Sequence, residues 1–162
     1  MNKFINKTVL SKKDITEINT HIYLKTPLYI TLYVVCILTL ATQLVDFFTN
    51  RIINLSSTMP FLLALVAMLL VFVSNNRNML SQSMDENGNP IEYNYTAENG
   101  VIRLETSNGK TSELELKMIY KSFETKNCFG IRGRDNSFYI IKKNGFSEGT
   151  AEDFSILLKE SK

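Results

Sequence analysis

The sequence predicts a membrane protein of α+β class: a two-helix transmembrane hairpin joined to a small antiparallel β-rich roll that a C-terminal helix closes. Three observations predict it. Two long apolar runs occupy the first half of the chain, short alternating stretches fill the second, and charge is almost absent from one region only. The chain has 162 residues with 18 Lys and Arg against 16 Asp and Glu, yet only Asp46 and Arg51 are charged between Lys25 and Arg77. This length suits one modest domain plus an attachment.

The first apolar run, Leu28 to Phe48, has 21 positions without Lys or Arg. At about 1.5 Å per residue it reaches roughly 30 Å, the hydrocarbon thickness of a bilayer. The second run, Leu55 to Ser74, is unbroken apolar sequence from Phe61 to Val73. A cleaved signal peptide fits the first run poorly, because 27 residues precede it, no A-x-A site follows, and a second run comes soon after. The short connection around Asn50, Arg51 and Asn54 makes the pair antiparallel, so both termini share one side. That side carries Lys3, Lys7, Lys12, Lys13 and Lys25 against Arg51 in the connection, and the positive-inside bias places it in the cytoplasm. Within the first run Thr39, Gln43 and Asp46 recur at helical spacing as an intramembrane polar stripe, a pattern that marks helix contacts or ion paths. Asp46 lies near the end of the run, within reach of interfacial water and of Arg51.

Ahead of the first run, Ser11 followed by Asp14 forms a helix-start pattern. Ile15, Ile18 and Ile22 then recur at helical spacing, predicting an amphipathic helix over 12–25 whose lysines suit anionic headgroups at the membrane surface. Phe4 to Leu10 has a β-favouring composition with little reason to exist in a free tail. It is expected to pair with an edge of the C-terminal sheet, since an open edge presents unsatisfied backbone groups.

Beyond the second run the period changes. Ile91, Tyr93 and Tyr95 alternate with polar residues, as do Ile102, Leu104 and Thr106, the mark of half-buried strands. Turn residues separate such stretches at Asn99-Gly100, Asn108-Gly109, Arg134-Asp135-Asn136 and Asn144-Gly145. Strands are expected near 90–97, 100–107, 111–116, 119–125, 128–132 and 137–142, in a meander. Phe154, Leu157 and Leu158 then fall at helical spacing after Gly149 and predict the closing helix. The expected organisation is a cytoplasmic strand and amphipathic helix over 1–27, spans over 28–48 and 55–74 with an external connection over 49–54, a linker over 75–89 whose stretch to Met84 either continues the second span as a short cytoplasmic helix or is linker, and a cytoplasmic β-rich domain over 90–162.

Catalytic and metal chemistry is sparse. The single histidine, His21, lies on the amphipathic helix, and Cys36 and Cys128 form no CxxC pair, so neither a disulfide framework nor a zinc site is expected. A Cys/His or Ser/His pair cannot be assembled in the β-rich part. Glycines occur singly at turns, without a phosphate-cradling loop, and no cofactor is implied. From residue 83 onward 11 basic residues face 13 acidic ones, whereas residues 1–25 carry five Lys against two acids. A nucleic-acid binder concentrates positive charge on its folded domain, so nucleic acid is not an expected partner. Lys142 and Lys143 are a candidate local basic spot.

Leu10 to Thr26, LSKKDITEINTHIYLKT, is similar to the leading helix of the YcxB-like family of bacterial membrane proteins. IYKSFETKNCFGI followed by FYIIKKNGF, ending at Phe146, resembles the later part of the same family. The family pattern has a tryptophan, an aliphatic residue three on, an acid-threonine pair, and a Pro-Lys ahead of a phenylalanine. Ile119, Glu124, Thr125, Lys143 and Phe146 fit it, while Leu116 stands at the tryptophan position and Lys142 at the proline. The resemblance implies a pleckstrin-homology-like roll, a bacterial cytoplasmic membrane and no particular reaction. The function expected is therefore a non-enzymatic, membrane-anchored interaction module presenting this domain at the inner leaflet, with the bilayer and a protein partner or second copy as its contacts. The alternative is a regulatory or accessory subunit of a membrane transport system, to which the polar stripe would belong.

Overall fold

The computed structural model describes residues 3–50 and 55–160. Strand β1 (Phe4–Val9) is followed by helices α1 (Lys12–Lys25), α2 (Pro27–Asn50) and α3 (Leu55–Gln82). Then come β2 (Glu92–Glu98), β3 (Val101–Thr106), β4 (Thr111–Glu115), β5 (Ile119–Glu124), β6 (Cys128–Gly133), β7 (Phe138–Lys142) and β8 (Phe146–Glu148). Helix α4 (Ala151–Glu160) closes the chain. The chain divides into two compact units: residues up to Ile18 together with those from Met79 onward, and Asn19–Asn78 between them.

In the first unit five strands form a sheet in the order β4-β3-β2-β1-β8, and β5-β6-β7 form a second. The alternation read from the sequence sets the faces. Tyr95 and Ala97 of β2, Ile102 of β3 and Leu114 of β4 turn inward to meet Phe129, Ile131, Tyr139 and Ile141 of the second sheet. At the turn joining β2 to β3, Asn99 and Gly100 both have positive φ, 51° and 82°, the two-residue turn that Asn-Gly favours because its twist matches the flanking strands.

The N-terminal segment does pair with the C-terminal sheet, and more deeply than as an added edge. β1 lies between β2 and β8, antiparallel to both, from Phe4 opposite Ala97 to Val9 opposite Glu92 on one side and with Ile5 opposite Glu148 on the other. β8 was not expected from the sequence. Three residues are too few to show a period, and its pairing comes from a strand some 140 residues away. Phe4 enters a cluster with Phe146, Phe129 and Phe154, its ring 5.5 Å from that of Phe154 and edge-on. Gly149 has φ of +78°, and a Cβ there would strike the Phe4 ring. Glycine is therefore required by both backbone and contact.

Helix α1 begins with the reciprocal cap its sequence announced. The Ser11 backbone N–H and hydroxyl donate to Asp14 Oδ2 at 2.9 and 2.6 Å, while the Asp14 N–H donates to Ser11 Oγ at 3.3 Å. Two of the three isoleucines of its apolar stripe are covered by the protein itself. Ile15 and Ile18 are 1% and 0% exposed within the protein. In β6, Phe129 and Ile131 face the core while the intervening Cys128 and Gly130 are buried as well. Both faces of this sheet are thus covered, and the start of α1 lies along the outer one, where Glu17 accepts hydrogen bonds from Asn127.

In the second unit, α2 and α3 are each long and apolar enough to cross a membrane, over Pro27–Thr49 and Thr58–Gln82. They run antiparallel, with the Cys36 thiol donating to the Phe61 carbonyl at 3.6 Å and Tyr23 of α1 edge-on to Phe72. Only 6% and 11% of their most apolar windows are buried by the protein. Helix continues past Ser74 to Gln82, so the expected linker shortens to the turn after it, where Asp85 accepts from the N–H groups of Asn87 and Asn89. Arg51 and Asn54 lie outside the described residues.

Removing residues 1–10 is expected to raise amide hydrogen exchange in β2 and β8 to rates near those of exposed strands, because both lose a neighbour. Unchanged protection there would show that β1 is dispensable. Gly149→Ala is expected to cost about 1–3 kcal/mol from the positive φ alone, read as a lowered urea midpoint in detergent.

Candidate functional site

The polar residues of the first unit gather where β1 crosses the end of β7. Asn6 and Thr8 point inward from β1 and are 2% and 0% exposed, positions that a sheet core usually gives to hydrocarbon. Thr8 Oγ1 donates to Asn6 Oδ1 at 2.7 Å and accepts from the Lys142 N–H at 3.0 Å, while Asn6 Nδ2 donates to the Lys142 carbonyl at 2.8 Å. Two side chains of one strand thereby satisfy both main-chain groups of a residue in the other sheet. The buried polarity is fully partnered, and among the described residues no buried side-chain N or O lacks a hydrogen bond.

Lys142 extends this network. Its ammonium donates to Asp14 Oδ2 at 3.0 Å, with the lysine side chain 21% and the aspartate 7% exposed. Burial would raise the Asp14 pKa, but hydrogen bonds from Ser11 and Lys142 outweigh it and hold the carboxyl below its ordinary value. Glu17 behaves alike: burial opposes ionisation, and bonds from Thr125 and Asn127 lower its pKa nonetheless. Cys128, beside them, has its thiol pushed up to about 12, chiefly by burial and then by the nearby carboxylates. This is the opposite of an activated nucleophile.

Lys142 and Lys143 do not form a joint basic spot. Lys143 Nζ turns to Glu124 at 2.6 Å and sits 5.3 Å from the Phe129 ring, so each lysine has its own carboxylate. Glu124 also accepts from Ser155 of α4 at 3.1 Å, and the Lys143 ion pair first, with that bond, lowers its pKa despite some burial. In the hairpin, Thr39 donates to the Val35 carbonyl of its own helix at 2.8 Å; Thr39 and Gln43 are half-buried and Asp46 is exposed. Thr39 also lines an apolar cleft of about 100 Å³ with Tyr33, Cys36, Thr58, Phe61 and Leu65. Among the described residues no cluster of His, Cys, Asp and Glu is arranged to hold a metal ion.

Residues 97–158 match the family model described as YcxB-like protein. This part of the chain is similar to the YcxB-like family. The match contains both segments that carried the resemblance in the second half, and the leading-helix segment Leu10–Thr26 falls outside it. No curated protein and no solved structure matches the chain significantly. The YcxB-like pattern residues have structural employment here. Glu124 and Lys143 pair with each other, Thr125 both accepts from the Cys128 N–H and donates to its carbonyl to turn β5 into β6, and Phe146 joins the phenylalanine cluster. The matched stretch begins at the end of β2 and so omits β1, which the sheet requires. The β1–β7 network itself was missed by the sequence reading, and its sole signal was Asn6 and Thr8 at inward positions of a candidate strand.

Thr8→Val keeps the shape but strands the Lys142 N–H and removes the donor to Asn6 Oδ1, and is expected to cost about 1–3 kcal/mol in urea unfolding. Asp14 and Glu17 have folded pKa values below their unfolded ones, so their contribution is present above the unfolded values and is lost as pH falls through the folded ones. The first unit should therefore lose stability progressively below about pH 4. Asp14→Asn should flatten that slope while lowering stability at neutral pH, and an unaltered slope would remove Asp14 from the account. In Cys36→Ser protein, Cys128 should resist iodoacetamide at pH 8 until the protein is unfolded.

Proposed function

We propose that this chain is a non-enzymatic membrane-anchored interaction module, in which α2 and α3 cross the bacterial cytoplasmic membrane and the first unit stands at the inner leaflet as a pleckstrin-homology-like roll. The observation that carries this reading is the exposure of the hairpin. Leu28, Ile37, Leu38, Leu44, Leu63 and Leu70 are all more than half exposed. A soluble protein that left two such helices uncovered would forfeit the burial that stabilises apolar surface in water. Helices suit lipid because their backbone groups are satisfied internally.

Two antiparallel sheets of five and three strands, with a C-terminal helix contributing Phe154 and Leu158 to their shared core, support the roll. The lysines of the N-terminal arm support a cytoplasmic location for both termini. The module reading is also supported by how the polar groups are used. Asp14 caps α1 and pairs with Lys142, and Glu124 pairs with Lys143, so these carboxylates and lysines are used to cross-link elements of a scaffold.

The protein should stay in the membrane pellet after extraction with alkaline carbonate and leave it only with detergent. Reporters fused after residue 162 and within 50–54 should give opposite readings. Release by carbonate would end the anchoring proposal, and an exported C-terminus would reverse the orientation.

A further inference from the structure

The outer face of the three-stranded sheet is used unequally. At one end, beside the buried Cys128, Asp14 and Glu17 of α1 bond to Lys142 and Asn127. At the other end, where β6 turns into β7, Lys121 of β5 lies opposite Arg132 of β6, and Arg132 lies opposite Phe138 of β7. Strand alternation puts these three on the face away from Ile131 and Tyr139, which belong to the core, and all three are exposed.

Lys121 and Arg132 face one another as like charges, a cross-strand pairing that costs stability. Neither makes an ion pair among the described residues: Arg132 donates to Asn136 Oδ1 at 3.0 Å, and the acid of the turn, Asp135, accepts from Ser137 instead. Apolar surface accompanies the charge. Phe138 remains 38% exposed although its ring stacks on that of Phe123 at 6.2 Å, and Phe123 in turn lies over Gly130, where a Cβ would strike it. Tyr120, at the register shift between Ile119 and Lys121, is 69% exposed.

Cations beside exposed aromatic rings suit an anionic bilayer surface. Lysine and arginine are drawn to its phosphates, and tyrosine brings an apolar ring with a polar tip to the headgroup level. A nucleic acid seeks a broadly positive domain, whereas from residue 83 onward 11 basic residues face 13 acidic ones. An extended acidic peptide is held along a strand edge or in a groove, whereas these residues stand on the face of a sheet.

We propose that this end of the sheet docks on an anionic phospholipid surface, with Lys121 and Arg132 on headgroup phosphates and Tyr120 and Phe138 entering the interface. This rests on the membrane-anchored reading and gives the module its ligand class.

The chain has no tryptophan, so Tyr120→Trp and Phe138→Trp each install a single reporter, and Thr111→Trp on β4 serves as the control. The full chain is placed in nanodiscs of phosphatidylcholine, or of phosphatidylcholine with phosphatidylglycerol, and the phosphatidylcholine discs are also offered vesicles of the mixed lipid. With phosphatidylglycerol in the disc or in the vesicle, the reporters at 120 and 138 should shift to the blue and be quenched by doxyl-labelled lipid, while the reporter at 111 does not change. Adding Lys121→Gln and Arg132→Gln should abolish the shift with circular dichroism unchanged, and high salt should weaken it. Identical emission with both lipids in both arrangements, an equal shift at 111, or a shift that survives the two substitutions would overturn the proposal. So would a lipid-independent response of these reporters to an acidic peptide or an oligonucleotide, which would assign the face to that partner. Protein that leaves the disc removes the anchoring reading and this proposal with it, whereas protein that stays without a shift removes the proposal alone.

Discussion

The backbone ladder that β1 makes with β2 and β8 is the constraint on which the rest of the first unit depends. Without it β2 becomes an edge, β8 has no partner, and Phe4 leaves the cluster it shares with Phe129, Phe146 and Phe154. The same strand ties the two sheets together, since Asn6 and Thr8 hold the main chain of Lys142. A buried amide and hydroxyl are costly unless satisfied, and here each has a partner whose own group would otherwise be stranded. Specificity follows from that mutual need: a slip of one residue would turn Asn6 and Thr8 outward and bring Ile5 and Lys7 into the core.

This arrangement makes the folded unit discontinuous in the chain. The two apolar helices are inserted between β1 and β2, so the first strand synthesised waits for its neighbours until the hairpin is complete. The loop-closure entropy of such a distant pairing grows only slowly with length. The capping box at Ser11 and Asp14 adds a second tie, because the aspartate that starts α1 also receives the Lys142 ammonium. One carboxylate thus serves the helix terminus and the contact with β7.

The same economy governs the titratable groups around this network. Active sites concentrate perturbed groups around accessible space. Here Asp14 and Glu17 are held ionised by bonds to their neighbours, and Cys128 is held protonated by burial. A cleft of about 170 Å³ lies elsewhere, beside β5 and α4, lined by Phe129 and Leu158 together with the polar Ser122, Glu124, Ser155 and Lys159.

By itself the sequence determined the elements. Hydrophobic period distinguished the apolar helices from the alternating strands, Asn-Gly pairs located the turns, and Ser11 with Asp14 announced the start of α1, because each of these signals arises among residues close in the chain. It also pointed to Phe4–Leu10 as a strand with a use. Only the tertiary structure decided where that strand inserts, that β8 exists, that Ile15 and Ile18 of α1 are buried within the protein, and that Lys142 and Lys143 are divided between Asp14 and Glu124. Those outcomes depend on partners more than 100 residues away in three cases, and a periodicity can say that a face is apolar without saying what will cover it.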